Sequence, residues 1–252
     1  DRVDLEVGAR YDHLARGAFL GRQDLEKHLR RDTLTEGECT ATASGGGRCP
    51  GVYDAGTLSI GGLVHVVPQA LDLKLDLSSA SRFPNVDELY LIGSAPSFPV
   101  YALGNPNLGV ETSWSASSTL GLRLPWVSAE VSGFGSWIDR YIYFSPDRNP
   151  DGSLHYDVTI RGTWPTYGYQ PIDAVVYGVD GGAQLGPEFL VGLDVRGAMV
   201  RAQRADTGEH LIGTPPDHLS VTGAVRPRIR GPVQDIELAV TTDLVARQSR
   251  TD

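Results

Sequence analysis

Apolar side chains recur at every second position along most of this chain, and that spacing constrains the fold more than any other feature. Val3, Leu5, Val7, Ala9 and Tyr11 alternate with Asp4, Glu6, Gly8, Arg10 and Asp12. Leu71, Leu73, Leu75 and Leu77 alternate with Asp72, Lys74, Asp76 and Ser78. Trp114, Ala116, Leu120, Leu122 and Leu124 alternate with Ser113, Ser115, Ser117, Thr119 and Arg123. The pattern returns in Val175, Tyr177 and Val179, in Phe189, Val191, Leu193 and Val195, in Leu219, Val221 and Val225, and in Ile236, Leu238, Val240 and Leu244. A strand turns successive side chains to opposite faces, so a period of two means one oily face and one wet face. The chain is all-β.

Strand segments fall at about 2–12, 57–67, 71–81, 110–124, 128–143, 173–185, 189–203, 217–227 and 234–249. The connections alternate in length. Long ones span 13–56, 82–109, 144–172 and 204–216; the short ones are Pro68-Gln69-Ala70, Pro125-Trp126-Val127, Gly186-Pro187-Glu188 and a basic turn from Arg228 to Val233. Antiparallel up-and-down strands put all the tight turns at one end and all the large loops at the other. Outer-membrane barrels have that asymmetry, with short periplasmic turns and long extracellular loops. A β-sandwich also alternates, but its strands run to about five or six residues and its loops mix lengths at both ends. Several segments here are long enough to cross the hydrocarbon at about 45° tilt, which takes roughly 9–11 residues. The wet faces also carry more charge than a packed sandwich core tolerates. The expected fold is a transmembrane barrel wall. One segment departs from strict alternation: Phe134, Ile138 and Ile142 fall on the face that carries Glu130 and Ser132, and either a bulge or lumen-facing apolar side chains would account for it.

Composition narrows the partners. With 252 residues, 40% hydrophobic and 21% charged, the chain holds one large domain or two small ones and is not low-complexity disorder. No window approaches the roughly 18 uninterrupted apolar residues of a transmembrane helix. A net charge of -9 without a basic stripe excludes nucleic acid. A single Met away from position 1, and a start at Asp1-Arg2-Val3 with no charged-then-apolar leader, give the expectation of a piece of a longer exported chain.

Cys39 and Cys49 lie in a stretch rich in Thr, Ser and Gly. A pair this close in a polar loop reads as a local disulfide in an oxidising compartment; the other reading is half a metal site completed by His28 or His13. No catalytic constellation stands out. There is no Gly-x-Ser-x-Gly elbow, and His13, His28, His65, His155, His210 and His218 are scattered. No enzyme activity, resident metal or cofactor is expected. The loop 144–172 concentrates Tyr156, Trp164, Tyr167 and Tyr169 with His155 and Arg161. Rings beside a few donors suit a planar or amphipathic ligand such as a chelated metal. The same rings, with Tyr141 and Tyr143, also fit the aromatic girdle of a barrel. The segment 14–32, with Leu20, Leu25 and Leu29, has helical spacing, and Trp126 suits a periplasmic interface anchor.

Two stretches carry a family resemblance. Leu75-Asp76-Leu77-Ser78-Ser79-Ala80-Ser81-Arg82-Phe83-Pro84-Asn85-Val86-Asp87-Glu88-Leu89-Tyr90 resembles the barrel segment of TonB-dependent outer-membrane receptors, in which a polar strand end runs into Arg-aromatic-Pro and then Glu-Leu-Tyr. Gly104-Asn105-Pro106-Asn107-Leu108-Gly109-Val110-Glu111 resembles the family segment leading into the next strand. Ile138 to Ile142, Ala174 to Asp180, Pro215 to His218 and Arg247 to Arg250 echo later strands in family order. The resemblance implies an antiparallel, up-and-down part of a transmembrane β-barrel of about twenty-two strands. About nine strands would be present over 1–252, open at both edges, with the plug domain and the early and final strands absent. It implies active uptake of a scarce nutrient across the Gram-negative outer membrane. A ferric siderophore comes first, then cobalamin, another metal chelate or an oligosaccharide. The partners implied are outer-membrane lipid and the TonB-ExbB-ExbD complex, reached through an N-terminal region. Arg82, at the rim of the wet face, joins Tyr156, Arg161, Trp164, Tyr167 and Tyr169 as candidate ligand contacts in the external loops, and also suits a loop-scaffold role beside Glu88. A passive porin or adhesin barrel and a soluble β-rich binding module are the rival readings.

Overall fold

A computed structural model describes residues 2–30, 34, 39–94, 99–186, 190–227 and 236–248. Nine long strands form one antiparallel sheet: β1 (Val3–Leu20), β3 (Gly47–Val67), β4 (Leu71–Arg82), β7 (Glu111–Leu124), β8 (Val127–Pro146), β10 (Gly162–Leu185), β11 (Val191–Arg204), β12 (His218–Val225) and β13 (Leu238–Val245). They stand side by side in that order, and β1 and β13, at its two ends, do not pair. Four short strands decorate the loop end: β2 (Thr40–Ala41), β5 (Ile92–Ser94), β6 (Tyr101–Leu103) and β9 (Tyr156–Thr159). Two helices join them there, α1 (Arg22–Arg30) and α2 (Val86–Tyr90). The expected turn residues Pro187-Glu188 and Arg228–Val233, and the strand ends at 189, 234–235 and 249, lie outside the described residues.

The up-and-down order and the short turns are as the alternation requires. In the first turn Val67 accepts the Ala70 N–H at 3.0 Å. Pro68 presets the second position, and Gln69 takes the positive φ (65°) that a type II turn asks of its third. The strand tops differ from expectation. β1 runs on to Leu20 and β3 begins at Gly47, so the connection between them is shorter than 13–56, and the helix expected across 14–32 is confined to Arg22–Arg30 among the described residues. Likewise β8 reaches Pro146 and β10 begins at Gly162, and with β9 between them they turn most of the 144–172 loop into strand. The physical reason is common to both. Toward the loop end both faces of a strand lie in water or under loops, so the period-two signal fades while the backbone ladder continues.

The register separates two surfaces. One row across the wall is Val7, Ile60, Leu77, Ala116, Gly135 and Tyr177; the next is Ala9, Leu58, Ser79, Trp114, Trp137 and Val175. This face is bare: Val7 is 70%, Leu77 57% and Val240 74% exposed. Leaving so many bulky side chains in water, at about 1.5–3 kcal/mol each, would cost on the order of tens of kcal/mol, and among the described residues no second layer covers them. A sandwich is excluded, because its oily faces meet each other.

The opposite face is polar and self-satisfied. Ser115 and Ser136 share a hydrogen bond of 2.8 Å, Thr119 and Ser132 one of 2.7 Å, and Thr222 and Thr241 one of 2.8 Å. Near the tight turns, Asp72 takes His65 Nδ1 at 2.6 Å and the Arg123 guanidinium. Most of the buried apolar residues cluster at the loop end, in three small groups around Leu20, Leu89 and Tyr143, while Val127 and Ala224 are buried near the tight turns. The wall has no interior of its own.

Candidate ligand-binding site

The site begins with a bulge. Ile172 pairs with Tyr141 while Ala174 pairs with Ile138, so Asp139 and Arg140 together oppose the single residue Asp173. Arg140 takes φ 55°, and its N–H donates to Asp173 Oδ1 at 3.1 Å. An extra residue reverses the parity of everything beyond it. Both explanations offered for the irregular segment therefore hold. Phe134 and Ile138 do face the polar side with Ser132 and Glu130, and the bulge turns Ile142 to the other side.

Beyond the bulge Tyr141, Tyr143 and Ser145 share the polar face with Gln170, Ile172 and Ala174. The connection from β11 to β12 folds back onto this patch. Leu211 is buried against Tyr143, Ile172 and Ala174, and Tyr143 Oη accepts the Ile212 N–H at 2.9 Å. Between this connection and the tops of β8 and β10 lies a cavity of about 530 Å³, lined by Tyr143, Ser145, Arg148, Gln170, Arg204 and His210 among others. Gln170 Nε2 donates to Ser145 Oγ, and Arg204 grips Asp206 at 2.9 and 3.1 Å. The Asp206 carboxyl is held below the usual carboxylate range by that guanidinium. The lining thus combines a phenol, a hydroxyl, an amide and two guanidinium groups.

A second arrangement stands at the tops of β4 and β7. Arg82 Nη1 reaches Glu88 Oε1 and Oε2 at 2.9 and 3.0 Å, and Arg82 Nη2 reaches Glu111 Oε2 at 3.0 Å. Each carboxylate also holds backbone: Glu88 Oε2 accepts the Asn85 N–H at 2.7 Å, and Glu111 Oε2 that of Ile142 at 2.9 Å. The Gly104-Asn105-Pro106 turn closes against α2. Gly104 N donates to Leu91 O at 2.6 Å and Asn105 N to Glu88 O at 2.8 Å, and a Cβ on Gly104 would lie 2.7 Å from the Leu89 backbone. Only glycine fits there. Next to it, the Arg16 guanidinium lies 4.5 Å over the Tyr53 ring, which tilts toward Phe83 at 6.0 Å.

The six residues expected to touch ligand do not form one cluster. Arg82 is locked between its two carboxylates. Tyr156 on β9 and Arg161 in the β9–β10 turn are exposed. Trp164 packs with its Nε1 buried and unbonded. Tyr167 and Tyr169 flank Phe144 at ring distances of 5.3 and 4.6 Å, on the side away from Tyr143. Of the six, Tyr169 borders the cavity. Tyr143, Gln170, Arg204 and His210 were missed, since the shift of parity at Arg140 leaves no mark in the residue types around it. Cys39 and Cys49 form a disulfide, which removes the half-metal-site reading with His28 or His13. His28 is instead the buried residue of α1, with Nε2 3.3 Å from Tyr90 O.

One further string was overlooked. Asp147-Arg148-Asn149-Pro150-Asp151-Gly152 matches the opening of a calcium loop, with Gly152 at φ 84° where that loop turns, but Val158 stands where the closing glutamate belongs. Asp151 is used internally, accepting Ser153 Oγ at 2.6 Å and Ser153 N at 3.0 Å, which holds its carboxyl below the usual range. Among the described residues no three His, Cys, Asp or Glu side chains converge as metal ligands.

A wall oily outside and polar inside, with tight turns at one end and structured loops at the other, defines an outer-membrane β-barrel. The family model for the TonB dependent receptor-like β-barrel matches residues 1–231, and the chain belongs to that family. The copper transporter OprC has a similar fold, with TM-score 0.71 and 17% identity over 100% of this chain and 34% of its own. The siderophore receptor PirA from Pseudomonas aeruginosa gives 0.51 and 15% over 80% and 33%. The Serratia marcescens hemophore receptor HasR, in complex with its hemophore HasA and heme, gives 0.50 and 17% over 89% and 39%. At these identities the likeness is one of fold. The chain spans about a third of the length of these solved structures. No curated protein matches it.

Proposed function

We propose that residues 1–252 form part of the barrel domain of a receptor that takes up a scarce nutrient across the outer membrane, energised by TonB-ExbB-ExbD through a region of the protein outside this chain. The observation that carries the reading is the cavity at the loop end of the polar face. Its rings, hydroxyls, amide and guanidinium groups suit the organic shell of a metal chelate, so a ferric siderophore is the first substrate class, ahead of cobalamin, other chelates and oligosaccharides. Arg204 is the residue we assign to ligand contact; the Tyr169 ring packs on Phe144, on the side away from Tyr143, Tyr156, Arg161 and Trp164 belong to the hairpin beside the cavity, and Arg82 to the scaffold. The family membership favours a gated receptor over a passive porin or adhesin, and the bare oily face favours a membrane wall over a soluble module.

The test is uptake. The full-length receptor, expressed in a strain lacking its other iron receptors, should restore growth on at least one ferric siderophore in a TonB-dependent manner. Arg204→Ala with Gln170→Ala should weaken binding of that chelate to the purified receptor without loss of the folded barrel. Growth restored equally in a strain without TonB would refute active transport.

A further inference from the structure

The segment from Gly104 ends in a residue, Glu111, that does not line the cavity but holds the strand that does. β7 and β8 are paired as far as Thr112 and Asp139. Above the bulge the β8 ladder continues with β10, from Tyr141 to Pro146. At Ile142 no β7 carbonyl is paired, and Glu111 supplies the acceptor: its Oε2 takes the Ile142 N–H at 2.9 Å. That carboxylate is itself fixed by Arg82 Nη2 at 3.0 Å. The amide it holds joins Tyr141 to Ile142, one residue before Tyr143. The Tyr143 ring stacks on Tyr141 at 6.2 Å, and its Oη accepts the Ile212 N–H, so it stands where β8 and the β11–β12 connection meet at the cavity. The same segment braces the bulge a second time, since the Arg140 guanidinium lies over Gly109.

We infer, on the reading of this cavity as the ligand site, that Glu111 is a positioning residue for binding: its reach to the Ile142 amide sets where the Tyr143 ring stands in the cavity wall. The motif residue acts through the strand top, without touching ligand. Reach and charge are separable here. Glu111→Asp keeps the charge for Arg82 but is one methylene too short to reach Ile142. Glu111→Gln keeps the reach and an accepting oxygen without the charge. A positioning role follows reach; a role as charge partner of Arg82 follows charge.

Binding to the purified full-length receptor is read by fluorescence quenching with a ferric tris-catecholate, a ferric tris-hydroxamate and ferric citrate as probes. For a probe that the wild type binds, Glu111→Asp should weaken affinity about tenfold, the low end for a lost hydrogen bond to a charged group, and Glu111→Gln by less than about threefold. Heat-modifiable gel mobility checks that each variant is folded. Without any chelate, the fluorine resonance of 3-fluorotyrosine placed at position 143 should be displaced by Glu111→Asp and little moved by Glu111→Gln. Equal affinities of the two variants, or the reverse order, would overturn the inference, as would a loss in Glu111→Asp with the Tyr143 resonance unmoved. If the wild type binds no probe, the ligand-site reading fails instead, and the fluorine spectra alone decide whether Glu111 places Tyr143.

Discussion

Replacing Arg82 by methionine isolates the role of the cluster over the wall. The substitution keeps much of the side chain's volume and removes the charge. It leaves Glu88 and Glu111, whose side chains are only 14% and 13% exposed, facing each other without a cation. Removing one partner of a buried pair costs about 3–5 kcal/mol. Arg82 is itself 40% exposed, so water screens part of the interaction and about 2–3 kcal/mol is the working figure. The loss should be local, because the cluster ties α2 and the bulged top of β8 to the wall without contributing to the ladder below. Hydrogen exchange reads this best, since a large barrel does not unfold in two states. Protection at Asn85, Leu89, Asn105 and Ile142 should fall by about 30- to 160-fold, while Leu73 and Leu120 keep theirs. Adding Glu88→Gln and Glu111→Gln should recover much of the loss, because the amides still accept from Asn85 and Ile142 and no longer repel. If Arg82→Met leaves exchange at Asn85 and Ile142 unchanged, the cluster is a solvated surface pair and the reasoning fails.

Three other outcomes follow from the same structure. Cys39→Ser with Cys49→Ser should loosen α1 and the start of β3 by up to about 3 kcal/mol, seen as faster exchange at 22–30 and 47–51 with the ladder from β4 onward unaffected; an unchanged profile would show that Leu25 and Leu29 hold the helix unaided. Leu77→Lys on the oily face should cost about 2–4 kcal/mol and lower the folded fraction on heat-modifiable gels, whereas Ser78→Lys on the polar face should not. The Asp151 carboxyl, depressed by its bonds from Ser153, supports the 147–155 hairpin at pH values above its unfolded value of about 3.9 and loses that contribution as pH falls through the lower folded value. Exchange at Ser153, corrected for intrinsic rate, should therefore rise below about pH 4 in the wild type and be pH-insensitive in Asp151→Asn.

How much of this was legible in the sequence depends on what each residue faces. Between Leu71 and Ser81, or Ser113 and Leu124, one side meets lipid and the other water, so the solvents themselves write the pattern, and strand limits there agree within a residue or two. From His13 to Leu20, and from Gly162 to Ile172, both sides are wet or packed under loops, and the pattern no longer records the strand. The motif around Gly104 was legible for a different reason: a glycine backed against the Leu89 carbonyl tolerates no substitute, so residue type and geometry coincide. In the aromatic-rich loop composition cannot say which face a ring takes: Tyr167 and Tyr169 both pack on Phe144, on the side away from Tyr143.

The bulge at Arg140 is where wall becomes site. Below it, β8 obeys the barrel, with Val131 and Trp137 toward lipid and Ser132 and Ser136 inward. Were the strand to continue unbroken, Tyr141 and Tyr143 would follow Trp137 onto the outer face, as an aromatic girdle, and Ile142 would turn inward. One additional residue exchanges them. Tyr143 then meets Leu211 and Ile212 and brings the β11–β12 connection over the polar face, while Ile142 takes Leu89 and Leu108 on the other. The conformation that allows it, a positive φ at a non-glycine residue, costs of order 1–3 kcal/mol and persists because neighbours over-determine it: Asp173 binds the Arg140 amide, and the Arg140 guanidinium fills the space left by Gly109, where a Cβ would lie 2.9 Å from Nη1. Local strain at one wall residue, held by its neighbours, thus sets which rings a ligand can meet.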